Sequence, residues 1–78
     1  GQIFKISELR IYSAPYITYI TPDVYSQAGK PVMLECRADG YPKPVVKWSR
    51  LGEMSAVLYS EKFEITSVGR EDRGTYRC

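Results

Sequence analysis

The sequence contains no histidine and no asparagine. Without histidine there is no imidazole base, no Ser–His or Cys–His nucleophile pair and no His-ligated metal site. Without asparagine there is no acceptor for an Asn-linked glycan. Apolar runs are short, far below the roughly 20 residues that span a bilayer, and no signal-peptide pattern opens the chain. Charge of one sign is not in excess. Eleven Lys and Arg face nine Asp and Glu, a net +2, unlike the dense basic charge of a chain that lives on nucleic acid. Two cysteines are too few to hold a metal alone. The serines Ser13, Ser26, Ser49, Ser55, Ser60 and Ser67 have no histidine partner, and none sits in Gly-x-Ser-x-Gly. No phosphate loop, calcium loop or pair of catalytic carboxylates stands out. The inventory favours binding over chemistry, with no enzyme activity and no cofactor expected.

What is present suits a β protein. The 78 residues make one small domain. Aromatics reach 13%, seven of them Tyr, a composition that fits strands better than helices. Five Pro and six Gly cut the chain into short segments, and no uninterrupted window shows helical spacing. Period-2 alternation recurs instead. Strand-like runs are expected at Ile3 to Tyr12, ending at Ser13-Ala14-Pro15, at Pro15 to Ile20, and briefly at Val24 to Gln27. The clearest alternation sets Val32, Leu34, Cys36 and Ala38 against Met33, Glu35, Arg37 and Asp39. After Gly40-Tyr41-Pro42-Lys43-Pro44, Val46 and Trp48 share a face. Val57-Leu58-Tyr59 reads as an edge strand. Phe63 and Ile65 alternate with Lys62 and Glu64, and the polar turn from Gly69 to Gly74 leads into Thr75-Tyr76-Arg77-Cys78. Short strands at this rhythm indicate a two-sheet sandwich.

Cys36 and Cys78 both fall on inward faces. In so small a domain such a pair points to an oxidising compartment. A bond between them closes about 43 residues and is worth on the order of 4 kcal/mol in the chain-entropy model. Two buried free thiols in a cytosolic protein are the alternative. Trp48 follows the first cysteine by twelve positions, on the next inward face, and Tyr76 precedes the second by two. The constellation Cys36…Trp48…Asp72-x-Gly74-x-Tyr76-x-Cys78 resembles the immunoglobulin superfamily. The loop Gly40 to Pro44, with Phe63-x-Ile65-x-x-Val68 and Glu71-Asp72-Arg73-Gly74-Thr75-Tyr76-x-Cys78, is similar to its I-set or C2 type in the lachesin, amalgam and neurotrimin group of adhesion proteins. The resemblance covers residues 15 to 78.

The resemblance implies an all-β, immunoglobulin-like two-sheet sandwich with Trp48 packed on an inter-sheet disulfide and a tyrosine corner at Tyr76. Tyr76 would bury its ring and return its hydroxyl to the corner's backbone. Asp72 would accept local backbone hydrogen bonds, and Gly74 would permit the tight turn. Leu34 completes the expected core. Two departures from the family pattern stand out. The last strand of a complete domain follows Cys78 in the family and is lacking here, and residues 1–14 read as the end of a preceding domain or a linker strand. Residues 15–78 are then an immunoglobulin-like domain truncated after its F strand, within a tandem array. Ile3 to Tyr12 could alternatively fill the open edge of that strand, in cis or from a neighbouring chain.

Function follows as an expectation: an extracellular module, at the cell surface or secreted, acting in adhesion or recognition by protein–protein contact. The partner would be a like molecule or another immunoglobulin-superfamily member, with neighbouring immunoglobulin domains in the full chain. Alternatives are an intracellular spacer in a muscle or cytoskeletal filament, and an immune ligand or receptor ectodomain. The last draws on Ser13-Ala14-Pro15-Tyr16 and Ala38 to Lys43. Lys47 and Arg77 share an outward face, with Lys43, Arg50, Arg70 and Arg73 around its rims. This face can meet an acidic partner or glycan, or stand solvated against Glu35, Glu53, Glu64 and Glu71. Tyr12, Tyr16, Tyr19 and Tyr25 crowd the first 25 residues, where Tyr serves either domain packing or partner contact. Tyr41 is expected to be exposed and available.

Overall fold

A computed structural model of the chain describes residues 1–53 and 57–78. Ser55, one of the serines considered above, lies outside the described residues. Among the described residues there are six strands: β1 (Ser13–Ile20), β2 (Val32–Tyr41), β3 (Trp48–Arg50), β4 (Val57–Leu58), β5 (Lys62–Ile65) and β6 (Tyr76–Arg77), with a 3-10 turn at Arg70–Asp72 before β6. They form two three-stranded sheets, β1-β2-β5 and β4-β3-β6, with antiparallel pairing throughout. The expected all-β sandwich is what folds. The edge of β6 away from β3 carries no strand among the described residues, in keeping with a sandwich short of its last strand.

The alternation of β2 organises the first layer. Cys36 is fully buried, Leu34 and Ala38 are half-buried on the same side, and Met33, Arg37 and Asp39 are exposed on the other. Phe63 and Ile65 of β5 continue the inner side, and Leu34 lies opposite Phe63 in the register. In the second layer the inner side is carried by Trp48, which is 2% exposed. Leu34, Val32, Ile65 and Tyr76 stay half-buried because they line an open apolar gap of ≈ 750 Å³ between the layers.

Three strand expectations need correction. Ile3 to Tyr12 forms no strand and is exposed along its whole length. Its alternation is sound, but alternation supplies no ladder partner, and an unpaired run gains nothing by extending. It therefore does not fill the edge of β6 in cis. The supposed break at Ser13-Ala14-Pro15 is instead the beginning of β1, so the first strand starts two residues before the expected domain boundary. Pro15 is tolerated because β1 is an edge strand, paired among the described residues with β2 alone, and the register shifts between Ser13 and Tyr16, where a missing N–H costs no ladder bond. Val24 to Gln27 also forms no strand. After Ile20 the chain is tied down at Thr21, whose amide donates to the Glu35 carbonyl (2.9 Å). Its hydroxyl accepts from the Glu35 amide at 2.7 Å, and Pro22 follows.

Candidate recognition surfaces and the staple behind them

The sandwich is closed by a small set of contacts that cross between its layers. Cys36 on β2 is bonded to Cys78 just beyond β6, with Cα atoms 6.5 Å apart. Beside this bridge, the Trp48 indole N–H donates to the Glu61 carbonyl (3.2 Å), and the Cys36 amide donates to the same oxygen (2.8 Å). One backbone carbonyl thus serves a donor from each sheet. Glu61 gave no sign of this in the sequence, because the group at work is its peptide oxygen and not its carboxylate.

The corner before β6 is closed by local hydrogen bonds. The Tyr76 hydroxyl donates to the Asp72 carbonyl at 2.5 Å. The Asp72 carboxylate accepts from the Gly69 amide at 2.8 Å, and the Asp72 amide donates back to the Gly69 carbonyl at 3.0 Å. The Tyr76 ring leans on Phe63 across the layers, centroids 5.4 Å apart. Its other neighbour is Arg50, whose guanidinium lies 5.8 Å from the ring centroid, donates to the Arg73 carbonyl and pairs with Glu53 at 3.5 Å. Arg50 was expected on the rim of the basic outer face. It lies instead opposite Tyr76 in the β3–β6 register, on the inner side, where it props the corner. Gly74 is exposed and not part of the core. A Cβ there would come within 3.0 Å of the Arg50 Nε, so the small residue makes room for that side chain.

The residues expected to face a partner fall in three places. Tyr16 pairs with Asp39 and Tyr19 with Arg37 across β1 and β2, so all four share the outer side of the first sheet. Tyr16 is 54% and Tyr19 46% exposed. Arg37 lies 5.9 Å from the Tyr19 centroid and is paired with Glu35 at 3.1 Å. Met33, 47% exposed, continues this surface opposite Glu64. Arg37 was legible as an outward residue of the β2 alternation but was not among the residues expected to face a partner. Lys47 and Arg77 are exposed on the other sheet. Arg77 lies opposite Ser49, and Lys47 precedes β3 with the same parity as Ser49. Tyr41 stands apart, at the end of β2 against the N-terminal segment, where it accepts a hydrogen bond from Arg10 (2.6 Å).

A disulfide between sheets, a buried indole sharing an acceptor with its first cysteine and a tyrosine corner meet in one small sandwich, and the family model described as "Immunoglobulin domain" matches residues 14–78. The chain belongs to the immunoglobulin domain family. This immunoglobulin domain is 41% identical over 63 residues to lachesin of Drosophila melanogaster, a match covering 74% of the chain and 18% of lachesin. It is 45% identical over 56 residues to neural cell adhesion molecule L1 of Homo sapiens, covering 64% of the chain and 4% of L1. Contactin-2 of Rattus norvegicus is 35% identical over 72 residues, covering 88% of the chain and 7% of contactin-2. The domain therefore spans less than a fifth of each of these relatives.

Proposed function

We propose that this immunoglobulin domain is an extracellular recognition module in a multi-domain adhesion protein, binding a protein partner without turnover. The observation that carries the reading is the outer face of β1 and β2. There Tyr19 and Arg37 lie side by side in the register, with Tyr16 on the same face and Met33 further along it beyond Glu35. Tyr, Arg and Met are the residue types enriched at the centres of interfaces, since each brings a large apolar surface with a polar or adaptable end. Arg37 is held by Glu35, so part of its rotamer freedom is already lost before any partner arrives. The partner is a second copy or another immunoglobulin-superfamily member. The adhesion role is supported by L1, whose name states it, and the extracellular setting by the Cys36–Cys78 bond. A filament spacer in the cytosol would carry free thiols.

Beads coated with the full-length protein test this. Binding to themselves, or to beads carrying another immunoglobulin-superfamily ectodomain, is expected to fall at least tenfold when Tyr19→Ala and Arg37→Ala are combined, with folding intact. Undiminished binding by a folded double variant would remove this face from the proposal.

A second reading rests on the opposite sheet. Lys47 and Arg77 make no ion pair among the described residues. Of the four acids expected to balance them, Glu35 and Glu64 face outward from the other layer, Glu53 is taken by Arg50, and Glu71 lies in the 3-10 turn and pairs with neither among the described residues. This leaves a small basic face suited to an acidic protein or a sulfated glycan.

A further inference from the structure

The N-terminal residues leave the sandwich beside the loop that follows β2, and three separate features fasten them there. The first is the register: Ser13 lies opposite Tyr41, so the ladder of β1 runs to its very first residue. The second is a close backbone approach at Gly40, whose φ is +149°. A Cβ at that position would lie 2.9 Å from the Ser13 carbonyl and 3.2 Å from the Pro15 Cα, so only glycine lets the incoming chain sit so near. The Gly40 amide is itself tied to the Asp39 carboxylate at 2.8 Å. The third is Arg10. It donates to the Tyr41 hydroxyl at 2.6 Å, and its guanidinium lies 5.5 Å from the centroid of that ring. Glu8 holds the same guanidinium from its other side, accepting from Nε at 3.0 Å and from Nη2 at 2.5 Å. Both the carboxylate and the hydroxyl favour the charged form of Arg10, the carboxylate more.

We propose that Glu8, Arg10, Gly40 and Tyr41 form a junction clamp that fixes the direction in which residues 1–7 leave the sandwich. Glu8 sets the guanidinium, Tyr41 receives it, and Gly40 allows the strand between them to lie flat on the end of β2. Among the described residues, residues 1–7 make no hydrogen bond or ion pair, so order is expected to begin at Glu8 and not before. A junction fixed in this way carries the sandwich and the chain before it as one body over the span of the clamp. The orientation of the partner-facing sheet is then set by three side chains and a glycine. The clamp does not depend on which partner the module binds, or on which face binds it.

Two measurements on the folded, oxidised protein decide this. In limited tryptic digestion, cleavage after Arg10 is expected to be slower than cleavage after Lys5. Tyr41→Ala is expected to speed the Arg10 cut, relative to the Lys5 cut, by roughly two- to fivefold, the range for an exposed charged contact. Since Tyr41→Ala alters a strand end, the second measurement uses Arg10→Gln, which lies outside every strand. Backbone amide 15N relaxation should show residues 8–12 more rigid than residues 2–6, and Arg10→Gln should bring the two segments to the same values. Equal cleavage after Lys5 and Arg10 in the wild type would overturn the clamp. So would an Arg10 cut unchanged by Tyr41→Ala, or relaxation values unchanged by Arg10→Gln.

Discussion

The Trp48 indole on one sheet donates to the Glu61 carbonyl beside the other, and the distance is 3.2 Å. The same oxygen holds the Cys36 amide, so the buried indole and the half-cystine on the other sheet are tied to one acceptor. Trp48 is 2% exposed, and removing it empties a large volume. Trp48→Ala is expected to cost about 3–5 kcal/mol in denaturant unfolding. Trp48→Phe keeps most of the ring but loses the N–H, and should cost about half as much. A midpoint unchanged in both would show that the indole does not hold the layers together.

The Cys36–Cys78 bond spans 42 positions in sequence, and closing a loop of that length is worth about 4 kcal/mol in the chain-entropy model. Cys36→Ser is therefore expected to lower stability by an amount comparable to the loss of Trp48. In the native protein both sulfurs should resist alkylation until reduced. Alkylation of the unreduced, unfolded chain would contradict the bridge and, with it, the extracellular reading.

Tyr76→Phe deletes only the hydroxyl that reaches the Asp72 carbonyl, and is expected to cost about 1 kcal/mol. Arg50 props the same ring from the other side, so Arg50→Ala should cost a similar ~1 kcal/mol through the lost cation–π contact and carbonyl bond. Gly74→Ala presses on Arg50. Its cost should shrink in the Arg50→Ala background, since the crowded side chain is then gone. Strict additivity in this cycle would deny that Gly74 is small on account of Arg50.

The basic face has its own test. If Lys47 and Arg77 meet an acidic glycan, retention on a heparin-like polymer should weaken strongly between about 50 and 200 mM salt, where the screening length shortens. Lys47→Glu with Arg77→Glu should abolish it, while Tyr19→Ala leaves it unchanged. Retention that ignores salt would remove the electrostatic reading.

Much of the frame was legible in the residues, and the reasons differ by position. The β2 alternation put Cys36 inside and Arg37 outside because a strand alternates sides whatever it packs against. The Asp72–Tyr76 corner was expected through the family resemblance carried by Asp72-x-Gly74-x-Tyr76-x-Cys78, and its bonds are local, closing within a few residues. Ile3 to Tyr12 misled, since a strand needs a neighbour as well as a pattern. Arg50 misled because its parity along β3 places it inside, opposite Tyr76, while its charge suggested a rim. The partition of Tyr16 and Tyr19 from Lys47 and Arg77 was not legible at all, because composition says nothing about which sheet a strand joins.

By itself the sequence determined the strand-rich character of the chain, the inward set of Cys36, Trp48 and Tyr76, and the turn chemistry before the second cysteine. Each of these depends on near neighbours along the backbone. Only the tertiary structure decided that the Glu61 carbonyl is shared between layers, that Arg50 backs the corner, and that Arg10 meets Tyr41 across 31 positions. Those contacts join groups far apart in the chain, and their partners are fixed by strand order and register, which no local pattern encodes.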